Sequence, residues 1–136
     1  MAGAPLLAIE GLSVSFRTRR GDVAAVTDAT LAIAAGESVG VVGESGSGKT
    51  TLAFAVMGYV PPGGRIAAGR IRFQGGDVAA MTGAALERYR GGGVAMVPQE
   101  PGAALNPSLA VGRQLVEVPI VHRRAGRAAA RDEAMA

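Results

Sequence analysis

Residues 43–50 read Gly-Glu-Ser-Gly-Ser-Gly-Lys-Thr, which is the complete pattern G-x-x-x-x-G-K-[ST] of a phosphate-binding P-loop. The apolar run 37–42 before this stretch predicts a buried parallel strand. Residues 51–57 after it predict the first turns of a helix that breaks at Gly58. Strand, glycine loop and helix in this order form the context that the motif requires, so the stretch predicts a phosphate site.

The residue types of the loop fit that chemistry. Gly43, Gly46 and Gly48 have no Cβ, so the chain can turn tightly and point successive N–H groups inward. A helix that begins near Gly48 adds its positive N-terminal end. Lys49, the only lysine among 14 strong cations, can reach the β- and γ-phosphates, and the Thr50 hydroxyl can bind Mg²⁺.

Two other interpretations of the glycine-rich stretch are weaker. A plain surface turn would not need the flanking strand and helix patterns. A dinucleotide fingerprint needs G-x-G-x-x-G, and the pattern that starts at Gly46 ends on Thr51 instead of glycine. A mononucleoside triphosphate is therefore the better ligand class.

Length and composition indicate one small domain of 136 residues. The chain has no cysteine, which excludes disulfides, thiol catalysis and zinc–cysteine sites and fits a reducing cytosol. The net charge of +3 comes from small arginine groups without a recognition helix or an aromatic stacking platform. We interpret these groups as solvated basic faces and expect no nucleic-acid partner.

The apolar residues do not predict a membrane-spanning segment, although mean hydropathy is +0.27. No uninterrupted apolar stretch approaches about 18 residues. Residues 1–10 lack the basic leader and the long apolar segment of a signal peptide. The chain is therefore expected in the cytosol unless a partner recruits it to a membrane.

The remaining patterns predict strands first and helices later. The expected strands are residues 6–16 with an interruption at Gly11, residues 23–34 as one or two strands, an edge strand at 65–74, and a second buried strand at 94–97. The expected turns and loops are 75–77 and 98–101, and the expected helices are 82–90 capped by Thr82, 109–118 ended by Pro119, and 121 onward.

This order predicts an α/β P-loop fold with an N-terminal antiparallel β subdomain. Parallel sheets are built from several βα units and are covered on both faces. The chain offers only two strands of the buried parallel kind, 37–42 and 94–97. We therefore expect a domain that is C-terminally truncated, with apolar faces and edges left uncovered at those two strands.

Two segments resemble a known family. Residues 39–52 and 97–112 are similar to the ATP-binding subunits of ABC transporters. In the second segment, Gln99 is followed by an acidic residue and proline, then by Leu-Asn-Pro and Val-Gly. That pattern is similar to the oligopeptide, dipeptide and nickel importer branch, and the resemblance covers essentially the whole chain.

The resemblance implies roles for particular residues. Residues 43–51 would form the Walker A loop, which adds Ser45, Ser47 and Thr51 to the expected nucleotide ligands. Gln99 would be the Q-loop glutamine, which touches Mg²⁺ or the attacking water and links the site to a transmembrane partner; its amide can donate and accept. Phe16 would stack on the adenine through its ring face.

The resemblance also implies an organisation and partners. Residues 1–136 would be a partial nucleotide-binding domain. Its expected parts are the β subdomain 6–36, the Walker A strand-loop-helix 37–60, a strand-helix-strand unit 65–98, and the Q-loop with the start of a helical subdomain 99–136. Transmembrane permease subunits and a second ATP-binding subunit would be its partners, on the inner face of the cell membrane.

Several motifs of the family do not follow Gln99 in this sequence. Residues 100–136 contain no Leu-Ser-Gly-Gly-Gln signature, no apolar strand that ends in Asp-Glu, and no switch histidine. Phosphoryl transfer needs a residue that orients the water. We therefore expect ATP and Mg²⁺ binding without hydrolysis by this chain alone, and we assign no catalytic role to Glu44 or His122.

Two hypotheses remain open. The chain is either part of the ATPase subunit of a peptide-type importer, or a stand-alone nucleotide-binding module. A small kinase or a DNA-repair ATPase is a weaker third candidate, because a kinase would need a lid and an acceptor site that the sequence does not show.

Overall fold

The computed structural model describes residues 4–123 and 126–135. Its contacts divide the chain into two compact units, which we call the N-terminal unit (Met1–Met81) and the C-terminal unit (Thr82–Ala136). Each unit is described by itself below.

An antiparallel sheet dominates the N-terminal unit, as the alternating apolar pattern predicts. Its strands are β1 (Leu7–Thr18), β2 (Gly21–Ile33), β3 (Gly64–Phe73) and the two-residue β4 (Gly76–Asp77). Their order in the sheet is β2-β1-β3-β4. The strand predicted at an edge, β3, therefore lies between β1 and the short β4, which corrects that prediction. The predicted turn at 75–77 is wrong by one residue, because Gln74 and Gly75 make the turn and Gly76 already pairs with Phe73.

The pairing of β1 shifts register at three points against β2 and at two points against β3. Gly11 has φ of +57° at a register shift between β1 and β3, which confirms the predicted interruption. A Cβ on Gly69 of β3 would lie 2.3 Å from the Gly11 carbonyl oxygen, so the two backbones approach as closely as glycine allows. The last of the shifts against β2 lies where Val26 pairs with Val14 but Ala24 pairs with Ser15, which leaves Ala25 as the extra residue of a β-bulge.

The core of the N-terminal unit is small. Its largest fully buried side chains are Ile9, Leu12 and Val14 of β1 and Ile71 of β3. Helix α1 (Lys49–Val56) contributes buried Ala55. Met57 and Gly58, the latter with φ of +67°, end α1, which confirms the predicted break.

The two predicted buried strands, 37–42 and 94–97, are wrong. Neither stretch is a strand, and both expose large apolar side chains, with Val42 94% and Val97 92% exposed. A strand persists only where a neighbour accepts and donates its backbone hydrogen bonds. No segment within 4–123 or 126–135 pairs with either stretch. The expected uncovered apolar surface is therefore present.

Short helices make up the C-terminal unit. They are α2 (Gly83–Arg88), a π-helical turn (Tyr89–Gly93), α3 (Pro101–Ala104), α4 (Val111–Leu115), α5 (Glu117–Arg123) and α6 (Arg127–Met135). Thr82 is the N-cap of α2 as predicted, although its side chain makes no capping hydrogen bond. No helix in the described part of the chain is both long and apolar enough to cross a lipid bilayer.

Pro119 does not end a helix, which corrects the prediction for 109–118. It is the third residue of α5, and the break instead lies at Val116, between α4 and α5. The first turn of a helix tolerates proline because its N–H groups have no partner within the helix. The helix expected from residue 121 is divided between α5 and α6, with residues 124 and 125 outside the described part.

Candidate functional site

The Lys49 side chain folds back over the loop that precedes it. Its Nζ donates to the carbonyl oxygens of Gly43 at 2.7 Å and Glu44 at 2.6 Å, and to Ser47 Oγ at 3.3 Å. The ammonium group has three N–H donors and no acceptor. All three donors are thus used inside the loop, and the positive charge is held over the first residues of the motif.

The backbone of the loop depends on glycine at two left-handed positions. Gly46 has φ of +80° and Gly48 has φ of +90°, values that residues with a Cβ rarely adopt. Between them, the Ser47 N–H donates to the Glu44 carbonyl at 3.2 Å and closes a tight turn. The Leu52 N–H then donates to the Gly48 carbonyl at 2.8 Å, which is the first hydrogen bond of α1.

Position 43 has no room for a Cβ while Ser47 keeps its observed rotamer. A Cβ at this position would lie 2.7 Å from Ser47 Oγ, 3.4 Å from Ser47 Cβ and 3.9 Å from Lys49 Cδ. Only the first of these distances is too short for a real contact. The Ser47 hydroxyl therefore fills the space above Gly43 and contacts the lysine on its other side.

The bulge in β2 supports the start of α1. A Cβ on Gly48 would lie 2.2 Å from the Ala25 carbonyl oxygen and 3.3 Å from Val26 Cγ2. Ala25 is the extra residue of the bulge, so its backbone reaches the end of the loop. The lack of a side chain at Gly48 allows this close approach between the loop and the sheet.

Phe16 lies on the sheet face that carries the loop. It follows Val14 by two residues on β1. Val14 pairs with Val26, whose Cγ2 would lie 3.3 Å from a Cβ on Gly48. The half-buried Phe16 ring packs over Gly64, since a Cβ there would lie 2.7 Å from Phe16 Cε1. Val23, the partner of Phe16 on β2, is two residues from Ala25, or about 7 Å along the strand.

The opposite sheet face carries charges. Arg65 pairs in register with Ser15, and Asp22 with Arg17, so these four side chains point away from Phe16. Arg65 Nη2 donates to Asp22 Oδ2 at 2.8 Å across β1. This hydrogen bond lowers the pKa of Asp22 below its ordinary value of 3.8, and the charge of Arg17 acts in the same direction.

The other predicted site residues are exposed or only partly covered. Ser45 lies in the loop and is exposed, Thr50 is exposed in the first turn of α1, and Thr51 beside it is half-buried. Gln99 belongs to the C-terminal unit and lies, exposed, in an irregular stretch before α3. The structure brings together the residues of 43–51 with Phe16 in one unit. The roles expected of all these residues stay predictions.

Sequence reasoning missed one polar side chain in the C-terminal unit. Gln114 Oε1 accepts from the Asn106 N–H at 2.7 Å, and Gln114 Nε2 donates to the carbonyls of Asn106 at 3.0 Å and Leu109 at 2.9 Å. One amide therefore holds both ends of the turn at 106–109. The Asn-Pro pair predicts a turn here, but nothing in the pattern identifies a partner eight residues away.

Helices α4, α5 and α6 line an open groove of about 820 Å³ in the C-terminal unit. Arg113, Arg127 and Arg131 give it positive charge beside Glu117. None of the predicted site residues lines this groove. The described residues also include no group of three or more His, Asp or Glu side chains that could hold a metal ion by themselves.

Comparison with known proteins gives consistent matches. The family model described as ABC transporter matches residues 26–136. The chain is 41% identical to the oligopeptide transport ATP-binding protein OppD of Escherichia coli (strain K12), over 96% of this chain and 38% of that protein. It is 37% identical to the dipeptide transport ATP-binding protein DppD of Bacillus subtilis (strain 168), over 96% of this chain and 39% of that protein. The chain thus spans about two fifths of the length of these relatives.

Proposed function

Because the chain belongs to the ABC transporter family, we propose that it binds ATP as part of the ATP-binding component of an importer for peptides or similar small solutes. The resemblance predicted from residues 39–52 and 97–112 is confirmed, since the matched relatives are oligopeptide and dipeptide transport ATP-binding proteins. Membership also implies a P-loop NTPase fold, to which the described antiparallel sheet and helices contribute.

The arrangement of Lys49 supports this proposal most directly. Its ammonium group is held over the loop by the carbonyls of Gly43 and Glu44, at the positive end of α1. Backbone N–H groups and a fixed cation in one loop are the combination that a polyphosphate needs. In the proposed complex, residues 43–51 surround the β- and γ-phosphates. Ser45 and Thr51 add hydroxyl groups, and Ser47 contributes as part of the loop backbone.

Phe16 is proposed to stack on the adenine. Its position on the loop-bearing face, with its strand partner Val23 about 7 Å along β2 from the bulge, supports this role. Stacking needs only a ring face, so phenylalanine serves as well as tyrosine.

Mg²⁺ is proposed to accompany the nucleotide. The hydroxyl of Thr50 and the amide oxygen of Gln99 are hard oxygen donors of the kind that Mg²⁺ takes, and the ion normally adds phosphate oxygens and water. When bound, Mg²⁺ neutralises charge on the phosphates.

The partners follow from the same family. We propose that the chain works with transmembrane permease subunits and a second ATP-binding subunit, on the cytoplasmic face of the membrane. Gln99 would link the nucleotide to the permease. Residues 100–136 contain neither the signature motif nor an Asp-Glu strand end, so this chain by itself is proposed to bind ATP without appreciable turnover.

Calorimetric titration with MgATP tests the proposal. Wild-type protein should bind, and Lys49→Ala should bind at least about tenfold more weakly, because a charged hydrogen-bond donor to phosphate is lost. Arg19→Ala is the matched control: it removes one positive charge from the exposed turn between β1 and β2 and should bind like wild type. Equal heats for wild type and Lys49→Ala would contradict the P-loop assignment.

A further inference from the structure

Lys49 has no N–H donor left for a phosphate oxygen while it keeps its contacts within the loop. Its three N–H groups point to three oxygens of the loop, those of Gly43, Glu44 and Ser47. An ammonium group has no fourth donor. A phosphate oxygen can therefore accept a full hydrogen bond from Lys49 only if one of these three oxygens releases its N–H.

The three contacts differ in strength. The carbonyls of Glu44 and Gly43 lie at 2.6 and 2.7 Å, the short distances typical of charge-assisted hydrogen bonds. Ser47 Oγ lies at 3.3 Å, near the outer limit for a hydrogen bond. The carbonyls are fixed by the backbone turn, whereas the hydroxyl of the exposed Ser47 can rotate toward water. The hydrogen bond from Lys49 Nζ to Ser47 Oγ is therefore the weakest of the three and the first to break.

We propose that Ser47 is a positioning residue, whose hydroxyl holds the third N–H of Lys49 and gives it up to a phosphate oxygen when nucleotide binds. The proposal rests on the proposed function, because it assumes that the loop binds a polyphosphate. The exchange breaks one hydrogen bond, from Nζ to Ser47 Oγ, and forms one, from Nζ to phosphate. The bonds to Gly43 and Glu44 persist and keep the ammonium group in place.

The affinity for nucleotide tests this exchange. Ser47→Ala removes an acceptor that competes with phosphate, so MgATP should bind about two- to tenfold more tightly than to wild type. Ser47→Thr keeps a hydroxyl and should restore the wild-type affinity. Ser38→Ala makes the same chemical change at an exposed serine outside the loop and should have no effect. Unchanged or weaker binding by Ser47→Ala would overturn the proposal.

A spectroscopic measurement tests the same contact without relying on affinity. Lys49 is the only lysine, so lysine-labelled protein gives a single side-chain ¹⁵Nζ signal in the NMR spectrum. Without nucleotide, Ser47→Ala should shift this signal and speed up its proton exchange, and Ser47→Thr should reverse both changes. With MgATP, the signals of wild type and Ser47→Ala should converge. If the ¹⁵Nζ shift and the proton-exchange rate of Lys49 were the same in wild type and Ser47→Ala, the hydroxyl would not hold the ammonium group.

The two experiments separate the possible failures. If Lys49→Ala binds MgATP like wild type, the proposed function fails, and the exchange with phosphate fails with it. If Lys49→Ala loses binding while Ser47→Ala changes neither the affinity nor the NMR signal, the proposed function stands and only the role of Ser47 is overturned.

Discussion

At the scale of single residues, the space above Gly43 is limited by one atom, the Oγ of Ser47. A Cβ at position 43 would collide with Ser47 Oγ at 2.7 Å. The next nearest atoms, Ser47 Cβ and Lys49 Cδ, would lie at ordinary contact distances. Gly43→Ala should therefore shift the loop backbone, which carries the carbonyl oxygens that hold Lys49, and weaken MgATP binding by roughly tenfold, since overpacking costs about 1–3 kcal/mol. The same substitution combined with Ser47→Ala should bind at least as well as wild type, because the colliding oxygen is gone.

Calorimetry on the four proteins of this double-mutant cycle measures the coupling between the two positions. Additive effects, with the double variant as weak as Gly43→Ala alone, would mean that glycine is needed at 43 for some reason other than the Ser47 side chain. Urea unfolding of the same four proteins is the control that separates binding from stability.

The sequence predicts the loop and its lysine but not the contact between Ser47 and Lys49. The G-x-x-x-x-G-K-[ST] spacing fixes which residues turn and which carry charge. The hydroxyl of Ser47 meets the ammonium group only because Gly46 and Gly48 take left-handed backbone angles on either side of it. A motif states residue types and does not state rotamers, so such contacts have to be read from the structure.

At the scale of elements, the junction between α1 and β2 depends on Gly48. Gly48→Ala would force a side chain into a left-handed backbone position, with its Cβ 2.2 Å from the Ala25 carbonyl oxygen. The free energy of unfolding should fall by at least about 2 kcal/mol, since backbone strain and overpacking add. Urea unfolding followed by circular dichroism measures this loss.

Gly40→Ala is the matched control for that substitution. Gly40 is exposed, and a Cβ there would have no atom within 4 Å. Its unfolding midpoint should stay close to the wild-type value. If Gly48→Ala were as stable as Gly40→Ala, the close approach of the loop to the bulge could not be a real constraint.

Prediction of the elements succeeded where the pattern is local. Alternation of apolar residues predicts β1, β2 and β3, and Gly11 predicts the first irregularity. The bulge at Ala25 has no comparable signal, because alanine is common in regular strands. Residues 37–42 failed for a different reason: their apolar run indicates burial, but burial needs a neighbouring strand that the run itself does not supply.

At the scale of the whole molecule, the exposed apolar stretches 37–42 and 94–97 should make the chain associate with itself. Val42→Asp and Val97→Asp should each raise the monomer fraction, because exposed apolar side chains attract one another and a charge opposes this. Sedimentation velocity at several protein concentrations measures the fraction.

Val118→Asp provides the comparison, since Val118 is 56% exposed on α5, outside both stretches. It should leave association unchanged. If it raised the monomer fraction as much as the other two substitutions, added negative charge rather than covered apolar surface would explain the effect.

The family and the antiparallel β subdomain could be predicted from the sequence, because the P-loop and the Gln99 segment are specific and the strand pattern is clear. The division into an N-terminal and a C-terminal unit at residue 81 could not, because it arises from which segments contact each other in space. The sequence of residues 75–82 predicts only a turn and a helix cap. Such features also occur within single domains, so they do not mark a boundary between units.

The position of the only lysine, at the first residue of α1, has one further consequence. A protease specific for lysine can cut this sequence at a single peptide bond, between Lys49 and Thr50. That bond lies in the first turn of α1, where the Leu52 N–H donates to the Gly48 carbonyl. The turn must unwind before the chain can fit a protease active site. The rate of cleavage at this bond therefore reports how often the first turn of α1 opens.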